Sequence, residues 1–109
     1  MDTVVVVLSV KPDRVEAFEA GFREHELPIW TDFRDRGVLV RASLTKMDIS
    51  SVRHGDAVQY LIVAVFASHD GHDIHDSDPR FQAWNDMADA YQDGDGLAFG
   101  GETLLSIES

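Results

Sequence analysis

Residues 3 to 10, Thr-Val-Val-Val-Val-Leu-Ser-Val, are almost entirely β-branched and apolar, and they are apolar at both parities of a two-residue repeat. Such a run predicts a strand covered on both faces. Lys11-Pro12-Asp13 breaks it, and Asp13 with Glu16 has the spacing of a capping box, which satisfies the free amides of a helix start. Val15, Phe18, Phe22, Ile29 and Phe33 fall on one helical stripe, so a helix is expected over about 14 to 35, kinked or split at Pro28 and ended by Gly37.

From Val38 the period changes to two. Val38, Val40, Ala42 and Leu44 alternate with Leu39, Arg41, Ser43 and Thr45, a strand with one apolar and one mixed face. A polar stretch from Met47 to Asp56 carries His54-Gly55, a hairpin connection. Residues 57 to 67 form the strongest strand pattern, apolar at both parities. A loop rich in His and Asp follows, then Asp78 and Pro79 at the N-cap and first turn of a second helix, with Phe81, Trp84, Ala88 and Tyr91 as its apolar stripe. Asp93-Gly-Asp-Gly96 and Gly100-Gly101 read as breaks, and Thr103 to Glu108 as a last short strand.

The order β-α-β-β-α-β is the split β-α-β arrangement: an α+β, ferredoxin-like, four-stranded antiparallel sheet with two helices on one face. The other face has no cover within the chain, although Val5, Val7, Val63 and Val65 alternate with Val4, Val6, Ile62 and Ala64. An apolar sheet face of this extent is expected to be covered by a second copy, giving a homodimer.

Length and charge narrow the partners. The 109 residues are one domain's worth of chain, so residues 1–109 are expected to form a single unit. A formal net charge of −11 repels phosphate polyanions and anionic lipid, so neither nucleic acid nor membrane is expected as partner. The apolar runs are far shorter than the roughly 20 residues of a membrane span, and the N-terminal run follows Asp2 without a basic region, so a strand and a cytoplasmic protein are expected in place of a signal peptide. Without cysteine there is no disulfide, thiolate nucleophile or cysteine-ligated metal.

Residues 10 to 18, Val-Lys-Pro-Asp-Arg-Val-Glu-Ala-Phe, and Phe66-Ala-Ser68 leading into His75-Asp-Ser-Asp-Pro-Arg-Phe81 resemble the dimeric α/β barrel superfamily, in its antibiotic-biosynthesis-monooxygenase-like branch. The resemblance covers most of the chain, and its motifs encode turn and cap geometry more than activity. It implies a pocket between sheet and helices, partly closed by the dimer, on a scaffold that hosts cofactor-independent oxygenases, cyclases, isomerases, haem-degrading enzymes and proteins without known reaction. The chain departs from the oxygenase pattern, which often places an Asn on a strand, because its one Asn, Asn85, falls on the second helix. It also lacks the early-strand Asn of the haem-degrading branch.

Three groups of residues carry candidate chemistry. His69, His72 and His75 are interleaved with Asp70, Asp73, Asp76 and Asp78. On a continuous helix the outer two histidines would lie about 600° apart, so a solvated loop is favoured over a three-ligand metal site, and no metal is expected. His75 matches the family's histidine and is a candidate acid-base group. His25 and Glu26 interrupt the first apolar stripe where a hydrophobe is expected, and an unpaired buried carboxylate or imidazole costs several kcal/mol. Pro28 rotating both into solvent is about as good a reading. If they turn inward, Trp30 and Phe33 line the same cavity, with Arg41 and Tyr60 reaching it from the sheet.

Asp93-Gly-Asp-Gly96 lacks the ligand spacing of a calcium loop, and neither a phosphate-binding glycine loop nor a nucleophile elbow is present. No cofactor is expected. The sequence therefore predicts a small cofactor-independent enzyme that acts by acid-base chemistry on a hydrophobic aromatic or polyketide-like molecule. His25, Glu26 and His75 would be its catalytic residues, with Trp30, Phe33, Arg41 and Tyr60 binding the substrate. The alternative is a non-catalytic ligand-binding or stress-associated barrel.

Overall fold

The computed structural model describes residues 1–107. Strand β1 (Asp2–Val10) is the valine-rich run, and it lies inside the sheet with β3 (Val58–Phe66) on one side and β4 (Leu97–Glu102) on the other. Strand β2 (Leu39–Lys46) adds to the far side of β3, so the order is β2-β3-β1-β4 with every neighbouring pair antiparallel. This is the expected ferredoxin-like fold. The two strands with apolar residues at both parities, β1 and β3, are the two central ones, as burial on both faces requires.

Registers fix the faces. Val4 stands opposite Ala64, Val6 opposite Ile62 and Leu8 opposite Tyr60. With Val10, Ala42 and Leu44 these residues meet the helices. The intervening residues form the outer face, where Ser43, Val63, Val5 and Phe99 make one cross-strand row and Thr45, Leu61, Val7 and Leu97 the next. Phe99 is 62% exposed at the end of the first row.

The long first helix is continuous but not uniform. A 3₁₀ turn (Pro12–Arg14) leads into α1 (Val15–Gly21), a π-helical turn (Phe22–Glu26) follows, and α2 (Leu27–Asp35) completes it. Pro28 has no N–H to donate, and the wide turn sits just ahead of it, with the Leu27 N–H bonded to the Phe22 carbonyl five residues back. The expected break at Pro28 is thus a change of winding. Helix α2 stops where Gly37 takes φ 78°; Val38 N–H bonds Phe33 O at 2.9 Å and Gly37 N–H bonds Arg34 O at 3.1 Å, a Schellman ending. Phe18, Phe22, Ile29 and Phe33 of the expected stripe are all buried.

Three local expectations are corrected. A bulge between Leu39 and Arg41 puts Leu39, not Val40, on the inner face. The His/Asp-rich stretch contains a short helix, α3 (Gly71–Asp76), ahead of α4 (Pro79–Asp89), whose N-cap Asp78 accepts from Arg80 N–H at 2.8 Å. The last strand is residues 97–102 in place of 103–108: Gly100 and Gly101 lie within it, opposite Val4 and Thr3, residues 103–107 form no strand, and Glu108 lies outside the described residues. No helix among the described residues is long and apolar enough to cross a membrane.

Candidate functional site

The inner face of β4 carries almost no side chain. Ala98 stands opposite Val6 and Gly100 opposite Val4, and Gly96 precedes them at the same parity. The space a larger residue would fill between β1, β4 and the helices stays open as a cavity of about 330 Å³. That is at the small end of the range for ligand sites, roughly 300–1,000 Å³. Val4, Val6, Leu8, Ile62 and Ala64 form its floor, and Phe22, Trp30, Phe81 and Trp84 its aromatic walls.

Two polar side chains meet at its inner end. Glu26, from the π-helical turn, is 3% exposed, and its Oε1 lies 2.5 Å from Nε2 of His75, from the last turn of α3. The other ring nitrogen of His75, Nδ1, is 2.8 Å from Oδ1 of Asp76. Phe33, Phe66 and Phe81 surround the imidazole, with ring centroids at 6.0, 6.4 and 4.4 Å. Burial among these rings pushes the His75 pKa down, but the carboxylates of Asp76 and Glu26 together outweigh it and hold the imidazole at about 9. At neutral pH His75 is a cation that donates from both nitrogens, and Glu26 receives one of those bonds. Oε2 of Glu26 is buried and has no hydrogen-bond partner. A buried carboxylate oxygen in that state is costly, and Glu26 is among the residues that line the cavity.

The structure separates the remaining expected site residues. His25 does not pair with Glu26. Its ring stacks on Trp84 at 5.5 Å with a 23° interplanar angle, and its side chain is 35% exposed, so it backs a wall residue from outside. Trp30 lines the cavity. Phe33 packs behind His75 and does not reach the cavity. Tyr60 is buried against Phe18, and its hydroxyl bonds the Glu19 carboxylate at 2.5 Å, which raises the phenol pKa on top of the effect of burial. Arg41 is in register with Val65, on the face of the sheet away from the cavity. It shares that face with Ser43 and Thr45, the parity at which the alternation of β2 places it, so it does not reach the cavity.

The three histidines of the 69–75 run diverge. His69 reaches back to Asp2 at 2.7 Å, His72 to Asp76 at 3.1 Å, and His75 turns inward. No group of three or more metal-ligating side chains with suitable geometry occurs among the described residues. Sequence reasoning missed Asn85, Asp89 and Gln92, which line the cavity from α4 and the residues after it. Their spacing of four and then three residues was the available signal, a polar stripe beside the apolar one.

No protein-family model matches the chain, and no curated protein matches it. Solved structures do. An assigned antibiotic biosynthesis monooxygenase from Nitrosomonas europaea superposes with a TM-score of 0.77 at 15% identity, covering 96% of this chain and 100% of that one. Rv0793 from Mycobacterium tuberculosis gives 0.75 at 13% identity, with 98% of each chain covered. A variant of SnoaB, a cofactor-independent oxygenase from Streptomyces nogalater, gives 0.70 at 18% identity, covering 99% and 97%. At these identities the likeness is one of fold, and it is the fold the resemblance of residues 10–18 and 66–81 implies.

Proposed function

We propose that this chain is a small enzyme that removes a proton from a hydrophobic aromatic molecule held between the sheet and its helices, with Glu26 as the base. The observation that carries the reading is the buried Glu26–His75 pair at the end of a mostly apolar cavity, with one carboxylate oxygen unpartnered. His75 acts as the positioning residue. Its Nε2 bonds Oε1 of Glu26 and fixes that carboxylate, and Asp76 fixes its ring. The proton passes from an acidic carbon or phenol of the substrate to the Glu26 carboxylate, and the His75 imidazolium beside it balances the charge of the resulting anion.

The oxygenase named among the fold relatives supports an extension to dioxygen as co-substrate. A carbanion formed at a ring CH₂ adds O₂, and the resulting hydroperoxide loses water to leave a carbonyl. One oxygen atom stays on the substrate and the other departs in water, so no further reductant is needed. Anthrone is a suitable probe because its methylene becomes acidic through aromatisation. The protein is expected to accelerate both deuterium exchange at that carbon and oxygen uptake, and Glu26→Gln to lose at least about a hundredfold of either rate with an unchanged circular dichroism spectrum. A Glu26→Gln protein that retains the wild-type rate overturns the assignment. Anthrone that binds with no exchange and no oxygen uptake favours a ligand-holding barrel instead.

The same reading includes a second copy of the chain over the outer face of the sheet. Its support is the pair of rows through Val5 and Val7, flanked by the exposed Leu97 and Phe99, an apolar surface that monomers rarely leave open. Sedimentation equilibrium is expected to give a dimer for the wild type and a monomer for Phe99→Glu. A wild-type monomer at high concentration removes this part of the proposal.

A further inference from the structure

The cavity runs along β1, and its two ends are built differently. At the Val10 end, Gln92 bridges to Val10 and joins Asn85 and Asp89 of α4 in the lining. Toward the Asp2 end the cavity is bounded by residues 68–77, the segment that carries α3 and supplies His72, His75 and Asp76 to the lining. Beyond this segment lies a surface groove lined by Asp2, His69, Asp73 and Gly100, which shares Val4, His72 and Ala98 with the cavity. His72 therefore stands between the two spaces.

The segment is attached with almost no apolar contact. Of the six residues of α3 only Gly71 and His75 are buried, and its one large apolar residue, Ile74, is 38% exposed. Helices dock mainly through an apolar face, and α3 has none to bury. Its backbone bonds stay local, from Gly71 N–H to Ser68 O, Ile74 N–H to Asp70 O and Ser77 N–H to Asp73 O. Among the described residues, two side-chain hydrogen bonds fasten it to the body: His69 to Asp2 at 2.7 Å and His75 to Glu26 at 2.5 Å. The first is a surface pair, of the kind that contributes little. The flanks, in contrast, are fixed. Ala67 N–H bonds Val38 O at 3.0 Å, Asp78 caps α4, and Arg80 ties that helix to Asp32 of α2 at 2.8 Å. Gly71 sets how closely the segment sits, because a Cβ there would lie 2.7 Å from Cβ of Phe66.

We infer that residues 68–77 form a flap that hinges at these fixed flanks, parting His75 from Glu26 and joining the inner end of the cavity to the outer groove. The motion is read from how the segment is attached, and its part in turnover rests on the reading of Glu26 as the base. With the flap closed, the proton taken from the substrate stays on Glu26 and returns to the same carbon. With it open, the Glu26 carboxyl group gives that proton to water and is a carboxylate again.

The exchange of the His75 Nε2 proton with water, followed by NMR of the imidazole nitrogens, tests the motion without a substrate. A proton held between two buried groups exchanges only when they part, so in the wild type it is expected to exchange at least about a hundredfold faster than the amides of β1 and β3. Gly71→Ala, which pushes α3 off Phe66, is expected to speed that exchange at least about tenfold. Asp2→Cys with His69→Cys, the only thiols in the chain and bridged by dibromobimane, is expected to slow it at least about tenfold without any change in the core. With anthrone in heavy water, the ratio of deuterium exchange to oxygen uptake is expected to rise in Gly71→Ala and fall in the bridged protein. A His75 proton that exchanges no faster than the central-strand amides, or equally fast with and without the bridge, overturns the flap and leaves the base reading standing. A ratio that is the same in all three proteins overturns the proton's route. Glu26→Gln at the wild-type rate overturns the base reading, and the ring-proton exchange still stands as support for the flap.

Discussion

Glu26 and His75 lie 49 positions apart in the chain, and their side chains meet at 2.5 Å beneath the helices. One comes from the π-helical turn and the other from the last turn of α3, two places where the backbone departs from regular long helix. The pair therefore ties the least regular part of the first helix to the segment that enters α4. Its stability and its charge state are linked, which makes the pH dependence of folding a direct report on it.

His75 titrates at about 9 in the folded protein against an ordinary value of 6.5, so its contribution is fully present below pH 6.5 and is lost as pH rises through 9. At about 1.4 kcal/mol per unit the loss is on the order of 3 kcal/mol. Chemical denaturation across this window is expected to show falling stability for the wild type and a flatter profile for His75→Gln. Equal slopes for the two proteins would mean that the imidazole is not held as a cation.

Removing one member of a buried pair leaves the other unpaired. Glu26→Leu and His75→Phe are each expected to cost roughly 3–5 kcal/mol, while the double variant, with an apolar pair among Phe33, Phe66 and Phe81, recovers most of that loss. The double variant should also be inactive on anthrone. Strict additivity of the two costs in denaturation experiments would show that the contact is not energetically coupled.

Much of this arrangement is legible in the sequence. The alternation in residues 3–10 and 57–67 predicts the two central strands, and the interruption of an apolar stripe at His25 and Glu26 marks the site. What the pattern cannot carry is the partner of Glu26. His25 is adjacent in sequence, but its ring stacks outward on Trp84, and the true partner comes from a helix of six residues that reads as loop because it is rich in His and Asp. Gly100 misleads for a related reason. Glycine punctuates most strands, yet here its missing side chain keeps the inner face of β4 empty, and the cavity depends on it. Arg41 shares the parity of Ser43 and Thr45, so alternation alone already turns it away from the cavity, whereas the one-residue bulge ahead of it moves Leu39 to the inner face, which no alternation foretells.

Gly21 holds α1 against the wall of the cavity. A Cβ there would lie 2.6 Å from Cζ3 and 2.7 Å from Cη2 of Trp84, a ring only 4% exposed and packed on Phe18, Phe22 and His25. Alanine gains about 1 kcal/mol of helix propensity over glycine, but overpacking of a closed aromatic cluster costs roughly 1–3 kcal/mol. Gly21→Ala is therefore expected to lower stability by about 1 kcal/mol and to shift the Trp84 emission. A more stable protein with unchanged emission would show that the ring moves aside freely.

Ala98 offers the converse change, because it faces into the open space from β4, opposite Val6 and beside the glycines that keep that face bare. Leucine at this position would place its side chain in the cavity, where it meets the apolar floor formed by Val4, Val6 and Leu8. Burial of the added carbons contributes about 1–2 kcal/mol at roughly 25 cal/mol per Å², and the emptiness of the site limits the overpacking penalty that such a change meets in a filled core. Ala98→Leu is thus expected to fold at least as stably as the wild type while binding anthrone at least about tenfold more weakly and losing its turnover in proportion. Stability and function then move in opposite directions, which a merely damaged fold cannot produce. Unimpaired anthrone binding in Ala98→Leu, measured by calorimetry alongside thermal unfolding, would place the ligand elsewhere on the molecule.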